Sequence, residues 1–461
     1  MNNWLVYNSF LFAEDSGAEL YILYWCLVGV IALCIPASIV SYHRCEKRAR
    51  LIIDTPTSKV KGVFIGLNEL KGHVVLTDHL ISYLTDTPCC WYKYKIEEHY
   101  TRTRTTTDSE GNSKTETYSG WETVDSGGSR VPFELSDDTG HIRVNPAKAE
   151  IDGDESLEIT RSRIDEIYYD KGPQQAISGS NGRRRFTESV LSSNEDIYIL
   201  GSAGIRRDVA EYEIAFDKQD ELYMISTRKE EEIQSKYTRG RLLSILGGLG
   251  CVICLPFLLE FQVNIYPRAL TISMISAPCF LILIMFLYVS LVFNGLVRIR
   301  ERLIQAWSII EIQLQRRYDL IPQLVDSVKK YIQHESELHS AAAASRASKS
   351  PRGVLPGKSD VNRQVSVANA QTAALTQLVA VQEAYPELNA SDLVGRLMTE
   401  LSDTEDRIAL AREFYNGSCG NYNSRTKRFP EVFFARMFGY KTASFYEIEE
   451  FHKTVPTVNL R

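Results

Sequence analysis

The chain has 461 residues, which at about 100–200 residues per domain allows two to four domains. Hydrophobic residues make up 44% and charged residues 24%, which are ordinary globular values and exclude wholesale disorder and fibrous repeats. The 52 Lys and Arg against 58 Asp and Glu give a net charge of −6, which does not suggest a general nucleic-acid binder. The apolar residues concentrate in three runs, so the sequence predicts a multi-pass membrane protein with two large soluble portions.

The first apolar run covers residues 21–42 and contains no charged residue. About 20 apolar residues are enough to cross a bilayer as a helix. A cleaved signal peptide starts with basic residues, whereas residues 1–20 contain no Lys or Arg and three acidic residues. Basic residues follow the run instead, from Arg44 to Arg50. This order predicts an uncleaved anchor whose short N-terminus, residues 1–20, is extracytoplasmic.

The second and third apolar runs cover residues 242–259 and 272–294, with a short extracytoplasmic loop, residues 260–271, predicted between them. Lys and Arg cluster before the second run and after the third, and the loop contains only Arg268. Because cytoplasmic flanks carry the excess of Lys and Arg, both soluble portions, residues 43–241 and 295–461, are predicted to be cytoplasmic. The expected location is a cell inner membrane. The alternative that residues 242–259 form a buried core helix remains open.

The nine cysteines are an odd number without regular spacing, which is not a disulfide framework. Cys251 and Cys254 form C-x-x-C inside a predicted span, and no second pair or nearby His completes a zinc site. Cys89 and Cys90 are adjacent and make a poor metal clamp. We expect a reduced, cytosolic setting, no metal and no cofactor.

The first soluble portion has the texture of a β-rich domain. Apolar and polar residues mostly alternate in WYKYKIEEHY, the period of a half-buried strand, and DSEGN supplies turn residues shortly after it. We predict a long hairpin over residues 91–124, with a polar tip that is either an interaction finger or a solvated loop. GRRRFTESVL is interpreted as a basic start followed by a short helix. Its residues Arg183, Arg184 and Arg185 could contact lipid phosphates or form a plain solvated turn.

A family resemblance accompanies this β-rich pattern. CCWYKYKIEEHY, a Trp strand, VPFELSDDTGHIRVNPAKAEI and RRRFTESVLSSNEDIYILGSA occur in that order. They resemble the GIDE domain of mitochondrial E3 ubiquitin ligases of the MULAN type, over roughly residues 60–235. In that family the ligase activity belongs to a separate C-terminal RING finger with eight Cys or His ligands. After residue 280 this chain has one Cys and three His, so the resemblance does not carry ubiquitin transfer with it.

The second soluble portion, residues 295–461, is predicted to be helical. Apolar residues from Leu303 to Ile332 recur at steps of three, four and seven, which is one stripe on a helix. The third span is expected to continue into this helix, with a kink near Pro322. Further helices are predicted over residues 360–384, 391–427, 430–438 and 443–452. Together they predict an antiparallel bundle, and the whole chain an α+β membrane protein.

The motifs of this portion are more specific. AWSIIEIQLQRRYDLIPQLVDSVKKYIQHE, EAYPELNAS, LSDTEDRIALAREFYNGSCGNYNSRTKRFP and FFARMFGYKTASFYEIEE occur in that order. They resemble the LemA family over residues 292–460. The resemblance implies a helical bundle led by a membrane anchor, and some family members belong to magnetosome membranes. No enzymatic activity is securely attached to the family.

We find no catalytic constellation, and the polar residues of the motif are interpreted as structural or interaction residues. Carboxylates and arginines that alternate on helices are typical of interhelical ion pairs, although they could in an enzyme serve as acid and base. The candidate residues are Trp307, Arg316, Arg317, Tyr318, Asp319, Pro322, Tyr385, Pro386, Glu405, Arg407, Arg412, Tyr415, Asn416, Tyr422, Asn423, Phe429 and Pro430.

Two functions follow as hypotheses. The first is a non-enzymatic scaffold or adaptor that binds protein partners or lipid headgroups on the cytoplasmic side, in membrane organisation or remodelling. The second is an E3 ubiquitin ligase-like or other transferase activity, which the GIDE resemblance implies. The expected partners are the lipid bilayer, other membrane or cytoplasmic proteins and further copies of the chain in a homo-oligomer.

Overall fold

The computed structural model describes residues 16–78, 80–107, 113–206, 211–218, 222–263, 268–329, 355–384 and 392–447. The chain divides into two compact units. The first contains Met1–Ile53 and Lys71–Leu291, and the second contains Asp54–Leu70 and Val292–Arg461. The fold is α+β: the strands lie mostly in the first unit, and the second is mostly helical.

Seven α-helices are described. They are α1 Ser16–Asp54, α2 Ile167–Asp170, α3 Glu230–Val263, α4 Arg268–Lys329, α5 Lys358–Ala384, α6 Asp392–Lys427 and α7 Glu431–Met437, with a 3₁₀ turn at Val60–Gly62. The strands are β1 Thr57–Ser58, β2 Gly66–Val75, β3 Leu80–Ile81, β4 Pro88–Thr107, β5 Ser113–Arg130, β6 Phe133–Asp137, β7 Gly140–Val144, β8 Glu150–Asp152, β9 Glu155–Ser162, β10 Ser180–Ser192, β11 Asp196–Ile205, β12 Tyr212–Ala215 and β13 Met224–Ser226.

Among the described residues, three helices are long and apolar enough to cross a membrane, namely Tyr24–Asp54, Glu230–Leu259 and Leu270–Ser327. Each overlaps one of the predicted apolar runs. The predicted continuation of the third run agrees with α4, which extends without interruption from Arg268 to Lys329.

Helices α1 and α3 pack through small residues. The hydroxyl of Ser244 donates a hydrogen bond to that of Ser41 at 2.8 Å. One turn further, a Cβ added to Gly248 would lie 2.3 Å from the Ser38 hydroxyl. Small residues four apart let the backbones of membrane helices approach closely, so α1 and α3 are built as a tightly packed pair.

The β-rich part forms two sheets. The larger sheet contains the order β2-β6-β7-β12-β11-β13-β8, and an additional pairing of β2 with β11 closes part of it into a ring. In the smaller sheet β4 pairs with β5 on one side and β10 on the other, and β9 follows β10. The predicted hairpin is confirmed, because β4 and β5 pair from Trp91 and Arg130 to Thr107 and Ser113. Its predicted polar tip lies in residues 108–112, outside the described part.

The short helix predicted within GRRRFTESVL is wrong. Residues Ser180–Ser192 form strand β10, which pairs with both β4 and β9. Phe186, Glu188 and Val190 are buried and the residues between them are half-buried, which is the period of a strand. Pairing with a strand on each side outweighed the weak local preference of the segment.

Two apolar clusters are formed by described residues of the helical unit. The larger contains Leu303, Trp307 and Leu314 of α4 with residues of α5 and α6. The smaller contains Leu320–Val325 of α4, again with α5 and α6. The segment Asp54–Leu70, which the sequence analysis assigned to the β-rich portion, belongs to this unit.

The helix predicted over residues 443–452 is not formed in its described part. Residues 441–447 are not helical, and those from 448 onward lie outside the described residues. The backbone of residues 443 and 446 is hydrogen-bonded to side chains of α6, which replaces the hydrogen bonds that a helix would supply.

Candidate functional site

The first part of the candidate site is an extended segment held on α6, which we name the strap, residues 441–446. Asn423 donates a hydrogen bond to the carbonyl of Ala443 at 2.9 Å and accepts one from its N–H at 2.8 Å. Asn416 makes the same pair of hydrogen bonds with Tyr446, at 3.1 and 2.8 Å. Because the two asparagines are seven residues apart, two helical turns place them on one face. They bind main-chain groups of the strap.

Two tyrosines complete this contact. Tyr415 donates to the carbonyl of Ser444 at 2.9 Å, and Tyr422 donates to that of Lys441 at 2.8 Å. Burial raises the pKa of both phenols. It also raises the pKa of the neighbouring Cys419 thiol to about 11, so this thiol is protonated at neutral pH. The face therefore has the groups to hold a chain segment and no activated nucleophile.

The second part is a layer of polar side chains between the two apolar clusters, which we name the polar layer: Arg317, Gln371, Thr372, Thr404 and Glu405. Arg317 is fully buried. Its Nη2 donates to Thr372 at 2.8 Å and its Nε lies 2.7 Å from the Glu405 carboxylate. These contacts join α4, α5 and α6. Arg317 is buried and Glu405 is partly exposed, and a buried arginine with a specific partner can define the register of a bundle.

The third part is a segment that precedes the β-rich domain in sequence, which we name the clasp, residues 54–64. Lys61 forms ion pairs with Asp406 at 2.7 Å and with Asp403 at 3.0 Å. The rings of Phe64 and Phe414 lie 4.7 Å apart. The clasp thus contributes both charge and apolar contact to α6.

A buried charge cluster holds the beginning of the clasp. Arg425 forms ion pairs with Asp54 at 3.4 Å and with Glu431 at 3.2 Å, and all three side chains are more than nine-tenths buried. Removal of Arg425 would leave the two buried carboxylates without this shared partner. Asp54, the first residue of the clasp, is thereby tied to α6 and α7.

Other predicted residues lie in varied positions. Trp307 is buried in the larger apolar cluster and donates to Glu311 at 2.9 Å. Arg407 pairs with Asp403 one turn away. The exposed residues among the candidates are Arg316, Asp319 and Phe429, and the partly buried ones are Tyr318, Pro322, Arg412 and Pro430. Tyr385 and Pro386 lie outside the described residues.

The three arginines of the β-rich domain do not share one role. Arg184 is fully buried and pairs with Glu98 through Nε at 3.2 Å and Nη2 at 3.1 Å. It has no surface to present to a lipid phosphate, so the predicted lipid contact is wrong for this residue. Arg185 lies over the ring of Trp121, 4.3 Å from its centroid. Arg183 is exposed, and a lipid contact there stays a prediction.

Glu98 collects several donors. Burial by itself raises its pKa, but hydrogen bonds from Ser180 and Tyr168 and the charge of Arg184 outweigh burial and hold the pKa below its usual range. Glu98 is therefore an ionised structural carboxylate. It connects β4 with β10 and with α2.

The cysteines of the β-rich domain are buried. Burial raises the pKa of Cys89 to about 11 and that of Cys90 still further, so neither is a thiolate near neutral pH. Within the described residues, no group of three or more His, Cys, Asp or Glu side chains is placed to hold a metal ion.

Sequence reasoning missed the residues of the clasp and the strap. Asp54, Lys61 and Phe64 were assigned to another domain, and Tyr446 was assigned to a helix. For the strap a signal was present: Tyr-Asn occurs at residues 415–416 and again at 422–423. A repeat spaced by two helical turns indicates that the repeated residues lie on the same face of the helix and make the same kind of contact. No comparable signal marked the clasp.

Comparison with known families finds a match in two parts of the chain. Residues 306–460 match the LemA family. Residues 102–257 match the GIDE family, whose description is E3 ubiquitin ligase. Both resemblances inferred from the motifs are thereby confirmed, and the LemA match includes the strap, the polar layer and α6.

Curated relatives match a shorter stretch. Magnetosome proteins MamQ 2 and MamQ 1 of Paramagnetospirillum magneticum are each 38% identical over 74 residues. Magnetosome protein MamQ of Magnetospirillum gryphiswaldense is 37% identical over 73 residues. The alignments cover 16% of this chain and 27% of each relative, so the chain spans about a quarter of the length of these relatives.

Proposed function

We propose that this chain is a non-enzymatic scaffold or adaptor of an inner membrane, with the β-rich domain and an antiparallel LemA-type bundle on the cytoplasmic side. In this proposal both domains bind protein partners or lipid headgroups and take part in membrane organisation or remodelling. The MamQ relatives are magnetosome proteins, which supports a role at a membrane compartment.

One observation carries the proposal. The polar residues of the LemA motif that could have formed an active site instead hold the chain together: Asn416 and Asn423 bind the strap, and Arg317 joins three helices. Active sites need polar groups that face a substrate in a cleft. The polar residues of the LemA motif contact one another within the fold and do not face a cleft, so the proposal assigns the binding role to the outer surface.

The topology of the proposal can be tested with reporter fusions to the full chain. Fusions at residues 150 and 450 should report a cytoplasmic position, and fusions at residues 10 and 265 an external one, because Lys and Arg flank the cytoplasmic ends of the spans. An external signal at residue 150 or 450 would contradict the placement of both domains.

The binding role itself can be tested by crosslinking in native membranes. The full chain, crosslinked in the membrane and then purified, should carry reproducible protein or lipid adducts on surface residues of the two cytoplasmic domains. Adducts confined to the apolar helices would argue against a scaffold. The matched control is the chain crosslinked after detergent extraction, in which membrane-dependent adducts should be lost.

The match to the GIDE family favours a second candidate function, ubiquitin transfer. Purified chain would be incubated with ubiquitin, activating enzyme and conjugating enzyme. We expect no conjugation, because the one Cys and three His after residue 280 are too few for the eight zinc ligands of a RING finger, and burial keeps the thiols of Cys89 and Cys90 protonated at neutral pH. Robust conjugation would overturn the non-enzymatic proposal. If it persisted in the Cys89→Ser and Cys90→Ser variants, transfer through these thiols would also be excluded.

A further inference from the structure

The outer part of the β4–β5 hairpin extends beyond its neighbours as a two-stranded ribbon. Strand β10 pairs with β4 only as far as Tyr100, whereas β4 and β5 continue to pair as far as Thr107 and Ser113. Residues 101–107 and 113–119, which we name the ribbon, therefore have no third strand beside them in the part of the chain that the structure describes. Because a two-stranded ribbon is only marginally stable in water, a further strand would stabilise it.

Strand β5 has an open outer edge. Among the described residues, β4 is the only strand that pairs with β5, and residues 113–119 are all exposed. Proteins commonly protect edge strands with a proline or a bulge. Residues 113–123 contain no proline, and the one register shift between β4 and β5 comes after them, between Thr123 and Asp125. This stretch is therefore a regular edge that another strand can join.

The edge of β5 complements itself in charge. Two copies that pair antiparallel about Tyr118 would bring Lys114 of each copy opposite Glu122 of the other, twice by two-fold symmetry. Tyr118 would face its own counterpart, and Thr115 would face Trp121. Opposite charges and aromatic pairs stabilise a sheet when they lie directly opposite each other. Lysine on an edge strand normally discourages association, but in this register its charge is matched.

The neighbouring registers lack this match. A pairing centred one residue later sets Glu116 against Glu122, and one centred two residues earlier sets Glu116 against its own counterpart. A pairing centred one residue earlier forms no charge pair. Because like charges directly opposite each other destabilise a sheet, the register about Tyr118 is preferred among those that join most of residues 113–123.

We propose that residues 113–123 of β5 pair antiparallel with the same residues of a second copy of this chain, in the register centred on Tyr118. The proposal rests on the scaffold role proposed above and names the contact through which copies of the scaffold join. Tyr118 is 49% exposed and lies in the middle of this edge. Aromatic side chains are enriched in protein interfaces, so its position fits the centre of a contact between copies.

The charged side chains at this edge are able to change partners. Lys114 pairs with Glu116 at 2.7 Å, and Glu122 pairs with Arg102 at 2.8 Å. All four side chains are at least one-third exposed, and exposed ion pairs contribute little to stability. Lys114 and Glu122 can therefore exchange these partners for each other across two copies.

The register is tested in native membranes with the full chain carrying Tyr118→Cys. Under mild oxidation this variant should form a disulfide-linked dimer, because residues directly opposite in neighbouring strands have Cβ atoms about 4.5–5.5 Å apart. The matched control is Thr115→Cys, whose counterpart would lie about 20 Å away along the strands, at roughly 3.3 Å per residue. It should give no more dimer than the unchanged chain, which has nine cysteines of its own. Absence of the dimer at position 118, or equal yields at the two positions, would overturn the proposal.

Charge reversal separates specific pairing from folding. Lys114→Glu and Glu122→Lys should each weaken self-association by about tenfold or more, because each sets like charges opposite each other at two symmetric positions. The measurement is energy transfer between labelled copies of the full chain in a non-ionic detergent. A mixture of the two variants should associate again, since each supplies the charge that the other needs. The two positions lie about 26 Å apart within one strand, so this recovery cannot come from a contact inside one chain.

Unchanged association in either single variant, or no recovery in the mixture, would count against the pairing of Lys114 with Glu122 and overturn the proposal. This outcome is distinct from failure of the scaffold role, because adducts with other proteins or lipids do not require a dimer. A monomeric chain with reproducible adducts would overturn only the pairing through β5.

Discussion

The strap on α6 makes the sharpest prediction, because each of its main-chain contacts has one identified side-chain partner. Replacement of Asn423 by Ala removes the hydrogen bond that Asn423 accepts from the N–H of Ala443 and the one that it donates to the Ala443 carbonyl. At about 0.5–1.5 kcal/mol for each bond, the contact contributes roughly 1–3 kcal/mol. The equilibrium between the bound and the detached strap should shift toward the detached state by the factor that corresponds to this free energy.

Hydrogen exchange measures this opening directly, since amides exchange when the local structure opens. A change of roughly 1–3 kcal/mol corresponds to exchange at Ala443 that is about 5- to 150-fold faster, at 1.4 kcal/mol for each tenfold. Asn416→Ala should increase the exchange rate most at the Tyr446 amide, which Asn416 contacts. The control Ser424→Ala, at an exposed position on the same helix, should leave the exchange rates of both amides unchanged.

The outcome that refutes this reasoning is unchanged exchange at Ala443 in the Asn423→Ala variant. In that case the strap would be held by the burial of Tyr446 against Trp307 and Arg412. The asparagines would then only satisfy their own amide groups.

Three further predictions concern other contacts. Arg184→Met should destabilise the β-rich domain by about 3–5 kcal/mol in denaturant unfolding, because it leaves the Glu98 charge buried without its partner. The control Arg183→Met, at an exposed position, should change the free energy of unfolding by about 0.5 kcal/mol or less. Equal effects of the two substitutions would contradict the burial of Arg184. The lowered pKa of Glu98 contributes stability that is present above its unfolded pKa and is lost as the pH falls through its folded pKa. In the Glu98→Gln variant, the denaturant midpoint should therefore fall less steeply as the pH is lowered through this range. An identical pH dependence in the two proteins would exclude this linkage. A fragment of residues 292–461 should melt at a higher temperature when a peptide of residues 54–70 is added, in a concentration-dependent way; no change would show that the clasp is dispensable.

The polar layer has a more general consequence for the bundle. Arg317 lies between the two apolar clusters at a position where the helical stripe of α4 would otherwise continue with an apolar residue. A shift of α4 by one turn would bury its charge against apolar side chains and separate it from Glu405 and Thr372. The layer therefore opposes alternative registers among the three helices.

Local patterns in the sequence were sufficient for the elements themselves. The three apolar runs overlap the three membrane-length helices found among the described residues, because the length and polarity of a segment decide whether it can cross a bilayer. The alternation in WYKYKIEEHY predicted β4 and its pairing with β5. The helical stripe that starts at Leu303 predicted the part of α4 that forms the bundle.

The same local reasoning failed where partners from distant parts of the chain decide the conformation. β10 is a strand because it lies between β4, more than 80 residues earlier, and β9. Arg184 is buried for the same reason, since Glu98 of β4 neutralises it there. An arginine next to two other arginines has no local property that distinguishes it as the buried one.

By itself, the sequence determined the number of apolar helices, the division into β-rich and helical portions and the two family resemblances, because all of these depend on composition and spacing along the chain. Only the tertiary structure decided that residues 54–64 clasp α6, that residues 441–446 form an extended strap and that Arg317 joins three helices. The physical reason is that these contacts join residues as far apart in the sequence as Asp54 and Arg425. A side chain's partner, and therefore its burial and charge state, is set by which distant group the fold brings within hydrogen-bonding distance.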